Sequence, residues 1–144
     1  MTDATRVMAF DWGLKNIGVA VGTRNLGTSQ PCAVVKARDG APNWPEIESL
    51  IDTWKPLQLV VGDPLNMDGT EAVITARARR FARQLEGRFG LPVAMVDERL
   101  SSKTAKADKA ALGHDGDYKK NPIDADAANI ILQTWLALDA QSTR

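Results

Sequence analysis

The sequence predicts an α/β domain: a five-stranded mixed sheet, its first three strands an antiparallel meander, with helices on both faces. Three observations lead there. Short apolar runs rich in Val, Ile and Ala fill the first third of the chain, with gaps too short for a crossover. From residue 43 onward, apolar residues at helical spacing alternate with two further apolar runs. The length, 144 residues, suits one domain spanning 1–144.

The first strands are expected over 6–12, 17–23 and 31–37, punctuated by Gly13, Gly18, Gly22 and Gly27. Asn43 is a candidate helix cap. Trp44, Ile47, Leu50, Ile51 and Trp54 then form the inner face of a helix that stops at Lys55-Pro56. Residues 57–61, apolar apart from Gln58, read as a fourth strand covered on both faces. A loop over 62–69 carries Pro64, Asn66 and Asp68. A long helix opens at Thr70 or Glu71 and runs to about 88, with Ala78, Phe81, Ala82 and Leu85 on one stripe. Gly90 ends it, and 91–96 is the fifth strand. Helical spacing returns over 101–112, and a loop at 114–121 follows. The last helix starts near Pro122, with Ile123, Ala127, Ile130, Ile131, Trp135 and Leu138 as its apolar face.

Bulk composition narrows the function classes. With 44% hydrophobic and 25% charged residues the chain is an ordinary globular one, and its apolar runs are too short to span a bilayer. The first residues, MTDATR, lead into no signal-type apolar core, and a lone Cys32, expected to be buried, forms no disulfide framework. A cytoplasmic location is expected. Eighteen basic and eighteen acidic residues cancel, so any polyanion must be held by a local patch. Arg77, Arg79, Arg80, Arg83 and Arg88 form one, opposed only by Glu86, and Lys103, Lys106 and Lys109 follow at spacing three. A solvated helix face is the default reading of such a run, and the patch supports a polyanion partner without establishing one.

Three acids sit where elements deliver them beside the sheet. Asp11 ends the first strand, Glu98 ends the fifth, and Asp124 lies in the first turn of the last helix ahead of Ala127 and Ala128. Sites in α/β sheets form at the carboxyl ends of strands, so Asp11 and Glu98 meet if their strands are near neighbours and parallel. Clustered carboxylates repel and call for a cation. Oxygen ligands without His or Cys favour Mg²⁺ or Mn²⁺. Two such ions about 4 Å apart can promote phosphodiester hydrolysis. Each acid also has a simpler role open to it: a turn residue at Asp11, a dipole-favoured acid at Asp124, half an ion pair at Glu98.

Two loops add to the acids. In D-W-G-L-K-N-I-G-V-A, glycines permit close approach of a phosphate and Lys15 supplies a charge, although a glycine-bearing hairpin explains the same pattern. In G-D-P-L-N-M-D-G-T-E, Asn66 and Thr70 suit either a phosphate contact or a capped turn. Trp12, beside Asp11, is a candidate to line the site or stack on a base, whereas Trp44, Trp54 and Trp135 read as core. His114, the only histidine, reads as a solvated loop residue.

Read together, D-W-G-L-K-N-I-G-V-A, V-V-G-D-P-L-N-M-D-G-T-E, D-E-R-L-S-S and I-D-A-D-A-A-N-I-I-L-Q resemble the YqgF/RuvX family. These are Holliday-junction-resolvase-like proteins associated with processing of pre-16S ribosomal RNA. The four motifs stand in the family's order and span 7–138. The resemblance implies a ribonuclease-H-like fold and a metal-dependent nuclease processing the 5′ end of pre-16S ribosomal RNA. It places catalytic, metal-binding roles at Asp11, Glu98 and Asp124, with Mg²⁺ or Mn²⁺, two ions, as cofactor. Substrate phosphates are then expected at Lys15, Asn66, Arg99 and the basic helix. Asp63 departs from the family pattern, which has an uncharged residue between Gly and Pro, and Asp126 adds a carboxylate on another helix face. The expected partner is nucleic acid, RNA ahead of DNA junctions, with no membrane and a monomer or homodimer. Two rivals stay open: cleavage of four-way DNA by the same acids, and a non-catalytic ribosome-assembly factor that binds nucleic acid.

Overall fold

The computed structural model describes residues 6–99 and 123–142, except the side chains of 123, 124, 141 and 142. The elements are β1 (Arg6–Asp11), β2 (Asn16–Thr23), β3 (Thr28–Arg38), β4 (Ala41–Pro42), α1 (Trp44–Trp54), β5 (Gln58–Asp63), α2 (Val73–Phe89), β6 (Val93–Asp97) and α3 (Ile123–Ser142). The strands form one sheet in the order β4-β3-β2-β1-β5-β6. β1 to β4 pair antiparallel, while β5 runs parallel to β1 and β6 parallel to β5.

The sheet thus has six strands where five were expected. The added strand, β4, is two residues long and pairs Ala37 with Pro42 and Arg38 with Ala41. Two residues cannot display an alternation, so periodicity passes over it. The expected helix over 101–112, its lysines 103, 106 and 109, the loop 114–121 and His114 lie outside the described residues.

Alternation along the central strands builds two cores. Met8 and Phe10 of β1, Leu59 and Val61 of β5, and Val19 of β2 point to one face, covered by α1 and α2 through Ile47, Ala78, Phe81 and Leu85. Val7, Ala9, Ala20 and Val60 point to the other, covered by α3 through Ala128, Ile131 and Leu132. Helices on both faces were expected, and near-continuous apolar runs in β1 and β5 are the reason. The rings of Phe10 and Phe81 meet edge-on at 5.7 Å, an arrangement that adds about 1 kcal/mol to their burial.

Helix ends follow local chemistry. Gly90 (φ 66°) closes α2 with its N–H on the Glu86 carbonyl at 2.9 Å, as its position predicts. Lys55 closes α1 in the same left-handed conformation. Asn43 precedes α1, but its side chain makes no capping bond; its carbonyl accepts from Glu46 and Ile47 instead. α2 begins at Val73, later than Thr70 or Glu71, because Leu65 bridges to Glu71 and keeps both in the preceding loop.

Trp12 corrects an expectation. It is 6% exposed and packs in the core under α1 and α2, on the sheet face opposite to that of Asp11. Its indole N–H donates to the Gly40 carbonyl at 3.1 Å. Gly40 has φ 83°, and a Cβ there would come within 2.5 Å of the Trp12 ring. So Trp12 is structural, not a base-stacking platform. Cys32 is half-buried, less than expected, and packs at the margin of this core.

Candidate active site

The parallel strands β1, β5 and β6 end together, which gathers Asp11, Asp63 and Asp97 along one edge of the sheet. Alternation then divides them. Asp11 follows Val7 and Ala9 on the α3-facing side. Asp63 follows Leu59 and Val61 on the α2-facing side, with Asp97 in register beside it.

β1 and β6, the first and fifth of the expected strands, are parallel near neighbours, with β5 between them. The expected meeting of Asp11 and Glu98 therefore needs a bridge, and Gly62 provides it. Phe10 pairs with Val61, so the next step sets Asp11 beside Gly62. Glu98 follows β6 directly, its N–H donating to the Asp63 carbonyl at 3.0 Å. Its side chain folds back across β5: a Cβ on Gly62 would lie 2.7 Å from Glu98 Oε2 and 2.8 Å from its Cγ. The same Cβ would meet Ile131 of α3 at 2.7 Å, so this is the α3-facing side. The missing side chain at 62 lets a carboxylate from β6 lie over the strand next to Asp11.

The electrostatics of the edge are uneven. Burial, then the charges of Asp63 and Asp97, push the Glu98 carboxyl up to about 7. Asp63 takes a bidentate fork from Arg79 at 2.9 Å on each oxygen, and Arg79 also reaches Glu71 at 3.0 Å. Asp97 takes the Arg99 fork, with Nη2 at 2.6 Å and Nε at 3.0 Å, and the Arg99 N–H as well. These bonds hold the Asp97 carboxyl below its usual range. Two carboxylates are thus matched by arginines on the α2 side, while burial and like charge disfavour the ionised form of Glu98.

The other expected residues fall as follows. Asp124 lies in the first turn of α3, four and seven positions ahead of the buried Ala128 and Ile131, so its position is on the sheet-facing stripe. Its side chain is outside the described residues. Among the described residues, no three His, Cys, Asp or Glu side chains form a group that could hold a metal ion. Lys15 is exposed in the turn after β1, and its carbonyl accepts from Ala37 at 2.9 Å. Asp126 is half-buried on α3.

Asn66 donates to Thr70 Oγ1 at 3.0 Å, and Thr70 in turn bonds Asp68 through both its hydroxyl and its N–H. These bonds stitch the loop 64–71 into a small hairpin. Thr75, fully buried, ties its two ends to α2 by donating to the Pro64 carbonyl and accepting from the Ala72 N–H. Arg99 Nη1 reaches the Met67 carbonyl at 3.3 Å. Asn66 and Arg99 therefore brace the loop beside Glu98. Sequence reasoning did not single out Gly62, Asp97 or Thr75. The sequence signal for Asp97 was its place next to Glu98, where alternation sends it to the opposite face.

The chain matches the family profile of RuvX, described as Holliday junction resolvase, over residues 5–138. A protein of Pseudomonas putida named "Putative pre-16S rRNA nuclease" is 49% identical over 137 residues, covering 94% of this chain and 97% of that one. A protein of Azotobacter vinelandii with the same name is 46% identical, covering 95% and 96%. Among solved structures, the fold is similar to Thermus thermophilus RuvC in complex with Holliday junction substrate (TM-score 0.57, 17% identity, 94% and 96% covered). It is likewise similar to the yeast mitochondrial Holliday junction resolvase Ydc2 (TM-score 0.55, 12% identity, 96% and 80% covered). This is the ribonuclease-H-like fold expected from the motifs.

Proposed function

The chain belongs to the RuvX family, and from that premise we propose that it is a nuclease that hydrolyses phosphodiester bonds in the precursor of 16S ribosomal RNA. The observation that carries the reading is the carboxylate of Glu98 lying over Gly62, beside the strand that ends in Asp11. The bare position at Gly62, where a Cβ would clash with both Glu98 and Ile131, is what lets the Glu98 side chain lie over β5 toward the end of β1.

The residues fit a divalent cation. A half-buried carboxyl held near neutrality by its surroundings favours a cation that restores its charge, and the donors are all hard oxygens. Asp11 and Glu98 would hold Mg²⁺ or Mn²⁺, with Asp124 completing the set from α3. Such ions, when bound, supply an activated water and stabilise the leaving oxygen.

The chain's own groups do the rest. Asp11 and Glu98 fix the position at which a phosphodiester is attacked. The loop 64–71, held by Thr75 and Arg99, forms one wall of that position, and the exposed Lys15 offers a charge to a phosphate at the other. No covalent enzyme intermediate is needed.

RNA is preferred to four-way DNA because relatives at 46–49% identity carry the ribosomal name, whereas the likeness to junction resolvases is one of fold. A cytoplasmic location suits that substrate; among the described residues no helix is long and apolar enough to cross a membrane. The test is Asp11→Asn assayed on a ribosomal RNA precursor and a four-way DNA junction, with Mn²⁺ or Mg²⁺. Cleavage of the RNA should fall by more than about 100-fold while the protein stays folded. Undiminished cleavage overturns the assignment, and cleavage of the junction alone moves the substrate to DNA.

A further inference from the structure

We propose that the outer face of α2 is a second nucleic-acid contact, a track for RNA phosphates on the side of the sheet away from the acids. It rests on the nuclease reading and extends it to how a long substrate is held.

The inner face of α2 is buried through Ala78, Phe81, Ala82 and Leu85. The outer face carries Arg77, Arg80, Arg83 and Gly87, spaced three or four apart and so in line along the helix. Much of the arginine run is already engaged within the chain. Arg79 is forked on Asp63, Arg88 lies 4.0 Å over the Trp44 ring, and Arg77 donates to the Asp39 carbonyl at 2.6 Å while covering Trp12. Arg80 and Arg83 are different: both are exposed, and neither makes an ion pair among the described residues.

Acids border the line, and Glu86 follows Arg83 along it at spacing three. Asp39 is 3.7 Å from Arg77, Glu86 borders the groove beside Arg83, and Glu48 borders the one beside Arg88. Arg77, Arg80 and Gln84 edge a groove of about 190 Å³ between α2 and the β3–β4 turn. Arg83 borders a second groove, on the β6 side of α2, so the two exposed guanidiniums stand on the ridge between the grooves; in a chain of zero net charge such a ridge marks where a polyanion is attracted.

Gly87 is the independent observation. Glycine is disfavoured inside a helix, yet a Cβ here would meet nothing within 4 Å, so the packing of this chain does not require it. What it does is leave the backbone bare one turn beyond Arg83. A bare helix turn beyond two exposed arginines fits close approach of a sugar-phosphate chain.

The acids lie on the α3-facing side of the sheet and α2 covers the other, so the track engages RNA that extends past the scissile bond. Arg80→Ala/Arg83→Ala should weaken binding of a long single-stranded RNA about 10-fold and lower its salt slope by about 1.4, the loss of two phosphate contacts. Gly87→Glu should fold at least as stably as the parent and also weaken that binding. Cleavage of a tetranucleotide, too short to reach the track, should stay at the parent rate in both variants. Unchanged affinity and slope would overturn the track, and so would loss of tetranucleotide cleavage, which would put these residues in the active site. If the parent itself neither binds nor cuts RNA, it is the nuclease reading that fails.

Discussion

The carboxylate of Glu98 occupies the space that a side chain at Gly62 would fill, with Oε2 2.7 Å from where a Cβ would stand. Gly62→Ala should therefore expel Glu98 from its place over β5. The expected result is a folded protein, destabilised by about 1–3 kcal/mol through overpacking against Ile131, with Mn²⁺ affinity reduced about 10- to 100-fold. Calorimetric titration beside thermal melts separates the two effects. Full metal affinity in the variant would show that Glu98 does not need this position.

Glu98 also sets a pH dependence. Its carboxyl rises from 4.5 to about 7 on folding, so the folded protein holds that proton more tightly than the unfolded chain. Stability from this group is complete below pH 4.5 and is lost as pH climbs through about 7. The full loss is at most ~3 kcal/mol. In chelator, Glu98→Gln should melt higher than the parent at pH 8 and level with it near pH 4. Equal melting at both pH values would sink the assignment of a raised pKa.

Arg99 braces a loop. Its fork on Asp97 and its reach to the Met67 carbonyl tie 64–71 to the end of β6. Arg99→Ala should speed amide exchange across Asn66–Thr70 up to about 10-fold while moving global stability by about 1 kcal/mol or less, as expected of a partly exposed pair. Lys cannot fork, so Arg99→Lys should recover little. Unchanged exchange in the Ala variant would remove the brace.

Gly40 is the counterpart on the other face. At φ 83°, with Trp12 2.5 Å and Arg77 2.8 Å from an added Cβ, it tolerates no side chain. Gly40→Ala should cost about 2–5 kcal/mol from backbone strain and overpacking together. Tryptophan fluorescence during denaturation reads both the loss and the exposure of Trp12.

How much of this was legible in the sequence varies by feature. The β1-β2-β3 meander, the strand at β5, Gly90 as the end of α2 and the two-faced sheet follow from alternation, helical spacing and turn residues. Strand order does not, because periodicity records which face a residue takes and not which strand lies beside it. Nothing in the alternation therefore marks β5 as lying between β1 and β6, or Gly62 as the position over which Glu98 folds. Trp12 was misjudged for a related reason: being next to Asp11 in sequence puts it on the opposite face of a strand. The arginines of α2 read as one patch, yet Asp63 and the rings of Trp12 and Trp44, all distant in sequence, divide it.

α3 is the last described element, and it packs across β1, β2 and β3, the first ones made. One face of the sheet stays open, and position 124 stays absent from the edge, until α3 docks. Contacts of such sequence separation form late and slowly. On the nuclease reading, the set of acids at the sheet edge is completed only when α3 docks, so cutting is acquired in the last step of folding rather than with the sheet.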